Sequence, residues 1–139
     1  MHKSTRFDRL LRVRTLQLGQ VRAEEGRARA RVAQEEALRE RIAQLSANIA
    51  PAEEQSSATS LRAAAHYRER LHVSAHAAAQ RVSVAEQGLN AAEEATREAK
   101  RDQSAIEKLV ARAEAEAAVK ALRALEALPP TGRNRHDLC

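Results

Sequence analysis

The sequence predicts an all-α fold, an antiparallel two-helix coiled-coil hairpin with a longer second helix and a disordered C-terminal tail. Three observations predict it. Ala, Arg, Glu, Leu and Lys supply 85 of the 139 residues, well above the roughly 50% that accompanies long or coiled helices. Four Gly and three Pro leave little turn material for a sheet, and one Phe, one Tyr and no Trp cannot fill a thick core. Apolar residues recur in alternating steps of three and four from Leu61 through Ala64, Leu71, Ala78, Val82 and Leu89 to Ile106, Val110 and Ala117. Arg68, Thr96 and Gln103 alone interrupt that stripe. A 3.5-residue repeat keeps one narrow seam turned toward a partner helix.

The first helix is expected over about residues 6–50. Its stripe is less regular: Phe7, Leu11, Leu18, Val21, Ala28 and Val32, then a six-residue step to Leu38, Ile42, Leu45 and Ile49. A bend follows over about residues 51–60, because Pro51 pushes Ala50 out of the helical region and the hydroxyls of Ser56, Ser57, Thr59 and Ser60 favour turns and helix caps. The second helix is expected over about residues 61–128, where Pro129 and Pro130 stop it. Residues 1–128 thus read as a single coiled-coil hairpin, and 129–139 as a disordered tail.

A turn centred near Gln55 puts position i opposite roughly 110 minus i, pairing Val32 with Ala78, Ala28 with Val82, Leu18 with Ala92 and Leu11 with Ala99. Large residues then face small ones, and Gly19 nearly faces Gly88, where backbones can approach closely. At 1.5 Å per residue the arms span roughly 65 and 100 Å, so the second outruns the first. The surplus is expected to begin near Gln103 and to carry Ile106, Leu109, Val110, Val119, Leu122, Leu125 and Leu128 without a partner in the chain. Each such side chain gains about 1.5–3 kcal/mol on burial, which makes this overhang the expected partner-binding site.

The formal net charge is +5, and the first 31 residues hold nine Lys or Arg against three acids. A basic end suits an acidic protein partner or phosphates. Specific nucleic-acid binding is not expected: no zinc-finger spacing, no basic block joined to a zipper and no set of stacking aromatics is present. His72 and His76 share a helix face, but position 73 is Val where a zinc-protease signature has Glu, and two ligands do not complete a metal site. No metal, cofactor or catalytic residue is expected, since paired helices give no concave site in which a carboxylate is desolvated and tuned. Arg6, Arg9, Arg12 and Arg14 flank Leu10, Leu11, Val13 and Leu16 as in a membrane-surface helix, although coiled-coil packing accounts for the same residues. Cys139 stands alone, with no partner for an internal disulfide. No apolar run or hydrophobic leader is visible, and a cytoplasmic location is expected.

The opening Phe7, Asp8, Arg9, Leu10, Leu11, Arg12, Val13, the alanine-rich two-helix plan, and the late Ile106, Glu107, Lys108, Leu109 with Arg112 together resemble the FliJ family of flagellar export proteins. They are similar also to the YscO-type stalk proteins of type III secretion. The resemblance implies a cytoplasmic antiparallel coiled coil, like the central stalk of a rotary ATPase. Such a protein engages a hexameric export ATPase, the export gate and secretion chaperones, and meets the membrane only through the export apparatus. It implies ATPase-ring contacts at Phe7, Leu10, Leu11, Ile106, Leu109, Leu122 and Leu125. Tyr67 and Leu71 match the family's aromatic and leucine four apart, in the region linked to the export gate; Leu71 also lies on the seam. The chain departs from the family after Glu126, where Ala127, Leu128, Pro129 and Pro130 replace the usual acidic ending, and flagellar and injectisome systems both stay open.

Two readings of other kinds compete. One is a homodimeric coiled-coil scaffold or adaptor, in which the overhangs of two chains cover each other. The other is a basic helical nucleic-acid binder, which a steep salt dependence of binding would reveal.

Overall fold

The structure, a computed structural model, describes residues 2–49 and 57–130. Two helices make up nearly all of it: α1, His2–Asn48, and α2, Ala58–Glu126. Pro51 to Ser56 of the expected bend, and the tail from Thr131 to Cys139, lie outside the described residues. The N-terminus of α2 is built by Ser57. Its Oγ accepts a hydrogen bond from the Ser60 backbone N–H at 3.3 Å, and its carbonyl accepts from Leu61 N–H at 3.1 Å. That is the arrangement by which a serine cap satisfies the otherwise orphaned first amides. At the other end the helix tightens, with Leu128 N–H donating to Leu125 C=O at 3.2 Å, before Pro129 ends it. Arg123 in the last turn complements the negative end of the helix dipole.

Contacts divide the chain into two compact units, to each of which both helices contribute. Unit 1 comprises residues 1–15 and 101–139, and unit 2 residues 16–100. In unit 2 the helices pack through the only side chains that are buried among the described residues: Leu18 of α1 and Leu71, Ala78, Val82 and Ala85 of α2. The four α2 positions follow the stripe in steps of seven, four and three, as a seam requires. Around this apolar line the helices are tied by Arg81 to Glu35 at 2.9 Å and by Arg29 to Glu93 at 3.5 Å. Residue numbers add to 116 in the first pair and 122 in the second, so a residue stands level with one numbered about six to twelve above the expected 110 minus i. Gly19 and Gly88 do not meet: a Cβ at either would find nothing within 4 Å.

The difference is close to one heptad, and that has a physical cause. An alanine-rich seam repeating every seven residues offers nearly the same apolar contacts after a slip of seven, so it does not choose between registers. The ion pairs do choose. At the expected register, Arg29 would stand level with Arg81 and lose Glu93.

Candidate partner-binding surface

Unit 1 contains both segments that carry the family resemblance, and it brings them side by side. Arg14 donates to Asp102 at 3.1 Å, and Gln103 Nε2 donates to Thr15 Oγ1 at 3.1 Å. Further toward the start of α1, Arg6 and Phe7 line one groove of about 380 Å³ with Leu109, Arg112, Ala113 and Glu116 of α2. The covered part of α2 therefore extends to Glu116, and the expected surplus from Gln103 is corrected: it begins beyond Glu116. The difference in register carries the start of α1 about one heptad farther along α2, and the beginning of α1 at His2 rather than near residue 6 adds the rest.

The site residues accordingly fall into two sets. Phe7, Leu11, Ile106 and Val110 are half-buried, and Leu10 and Leu109 are more exposed. Val119, Leu122, Leu125 and Leu128 lie past the cover; Leu122 is 57% exposed and Leu125 64%. These four recur in steps of three, and each step falls about 60° short of a full helical turn, so the row winds away from the line through Val110 and Ala113 that faces α1. Their rotation was legible in the spacing, since a seam alternates threes and fours. A second surface groove, about 540 Å³, runs along this part of α2 between Arg112, Ala115, Glu116, Val119, Lys120 and Arg123. Apolar side chains and three cations thus share one stretch of helix.

Charge is divided more sharply than the sequence alone suggested. Unit 1 holds twelve Lys or Arg against seven acids, and unit 2 holds twelve against twelve. The entire +5 belongs to unit 1. Within unit 2, Arg29 also bonds Glu25 at 2.6 Å, and Arg97 grips Glu94 through Nε and Nη2 at 3.0 and 2.8 Å. The hydrogen bond and negative charge of Glu94 raise the Arg97 pKa above the ordinary arginine value.

Of the two residues matched to gate contact, Tyr67 is 48% exposed, whereas Leu71 is buried in the unit 2 seam. His72 and His76 are exposed on α2, and the described residues contain no group of three or more His, Cys, Asp or Glu able to hold a metal ion. No described helix is long and apolar enough to cross a membrane. Comparison with protein-family models, curated proteins and solved structures yields no match.

Proposed function

We propose that this chain is a non-enzymatic, cytoplasmic stalk that couples a hexameric export ATPase to the export gate of a flagellar or type III secretion apparatus. Its two helices pair antiparallel as a coiled coil; what supports that direction is that the partner number falls from Glu93 to Arg81 as the α1 position rises from Arg29 to Glu35. The single observation that carries the functional reading is the composition of unit 1. There the segments Phe7–Val13 and Ile106–Arg112, which resemble the export-stalk family, adjoin exposed Leu122 and Leu125 and the whole of the chain's net charge.

Such a surface suits a ring interior. Leu122 and Leu125 supply burial worth about 1.5–3 kcal/mol each when fully covered, and the distributed Arg residues steer approach to an acidic wall. Small Ala side chains between them avoid a single locking pocket, so successive ring positions bind with similar strength. Tyr67 is the candidate contact to the export gate, with Leu71 holding the helix beneath it. Secretion chaperones are further candidate partners.

The test is to mix the purified chain with its cognate ATPase and follow ring assembly and ATP hydrolysis. The wild-type chain is expected to promote both, and the double variant Leu122→Glu, Leu125→Glu to promote neither while keeping its helix content. Unchanged hydrolysis and assembly with the wild-type chain would remove the stalk reading.

A further inference from the structure

Helix α2 carries a second apolar face, which α1 does not cover. Val73, Ala77, Val84, Gly88 and Ala91 are exposed along it with Gln80, and Ala95 is half-buried, about a third of a turn around α2 from Ala78 and Val82; Val73 is 63% and Val84 66% exposed. Their spacings are four, three, four, four, three and four, which read the same in both directions from Val84. Successive repeats of eleven residues, Val73 to Val84 to Ala95, keep such a face nearly straight along a helix. Beside it lies a groove of about 540 Å³, between Ala77, Val84 and Gly88 of α2 and Ala28, Arg31 and Glu35 of α1. Two groups in that groove lack partners. Glu35 Oε2 is buried without a hydrogen bond, its other oxygen being held by Arg81, and Arg31 has no ion-pair partner among the described residues.

We infer that this face of unit 2 binds a second copy of the same chain, packed antiparallel about a two-fold axis through Val84. In a two-fold interface every contact occurs twice, residue i meeting j and j meeting i. An axis at Val84 brings Val84 onto Val84, Gln80 onto Gly88, Ala77 onto Ala91 and Val73 onto Ala95. Large side chains meet small ones, and Gln80 enters the space that Gly88 leaves open, where a Cβ would find nothing within 4 Å. The α1 face obeys the same axis. Position 33, midway between Arg31 and Glu35, lies level with Val84, for the two numbers add to 117, within the 116 to 122 of the observed ion pairs. Arg31 of each copy therefore meets Glu35 of the other, and a turn about the soft terminal torsion of the carboxylate presents its unpartnered oxygen.

Charge selects this occupant. Unit 2 is neutral overall, so two copies meet there without net repulsion, whereas two copies joined through unit 1 would oppose +5 to +5. The face runs from Val73 to Ala95 along α2, about 33 Å, and it leaves Leu122 and Leu125 outside the interface. The inference is independent of the stalk reading, which concerns unit 1.

Sedimentation equilibrium of the full chain tests it. The weight-average mass is expected to rise with concentration from 15.3 kDa toward twice that value. Gly88→Arg, which has open space around it in one copy, keeps its helix content but weakens association by roughly tenfold or more, because the added side chain collides with Gln80 of the second copy. Leu122→Glu leaves association unchanged. In a Cys139→Ser background, Val84→Cys oxidises to a disulfide-linked dimer, while Val73→Cys, which faces Ala95, does so at least about tenfold more slowly, since bridging needs Cα atoms within about 7 Å. A mass of 15.3 kDa at every concentration overturns the inference; so does a dimer that Gly88→Arg does not weaken, or equal cross-linking at positions 73 and 84.

Discussion

The two units of this chain use the same helices differently. Unit 2 owns every buried side chain among the described residues, and its charges balance. Unit 1 has no buried side chain among the described residues, keeps Leu122 and Leu125 largely in water, and carries the full +5. The contrast teaches that a pair of helices need not be uniform along its length. One stretch holds the buried apolar line, and the other, itself crossed by the Arg14–Asp102 pair, carries the excess of positive charge beside exposed leucines.

If unit 2 supplies the stability, substitutions there should register in unfolding and those at the end of α2 should not. The largest effect is expected at Leu18, 3% exposed against α2: Leu18→Ala should lower stability by about 2–4 kcal/mol in urea titration. Gly26→Ala should act in the opposite direction, raising stability by about 0.5–1 kcal/mol. The glycine lies inside α1, no described glycine has a positive φ, and a Cβ there meets open space, so the change chiefly removes freedom from the unfolded chain. Arg81→Ala should cost roughly 0.5–1 kcal/mol, less at high salt, since it strips the one partner from a Glu35 side chain that is only 16% exposed. The smallest effect on unfolding, within about 0.5 kcal/mol, is expected for Leu122→Glu with Leu125→Glu, because exposed positions outside any packed contact change stability little. A loss of several kcal/mol at the leucines would dissolve the distinction between the units.

These contrasts show which parts of the molecule a sequence makes visible. Both helices were legible, and the observed ends, Asn48, Ala58 and Glu126, lie within a few residues of those expected, since Ser57 and Pro129 are strong local signals. Register was not legible from the stripe, because alanine every seven residues is indifferent to a slip of one heptad. The decisive information sat outside the seam, in Arg81, Glu35, Arg29 and Glu93, whose pairing follows only once the helices are placed. The candidate surface was half visible. Leu122 and Leu125 stand exposed as expected, but Ile106 and Val110 are partly covered by the start of α1, an outcome that depended on the register. The apolar line through Val84 is visible in the sequence, but a second apolar line on one helix has meaning only once the first is assigned to α1.

The most direct measurement of the division between the units is hydrogen–deuterium exchange on the chain, with and without the assembled ATPase ring. The account predicts slower exchange on binding for residues 6–13 and 106–126, and unchanged exchange around Leu71, Ala78, Val82 and Ala85. New protection confined to that buried stretch, with the leucine-bearing end of α2 exchanging as before, would contradict it.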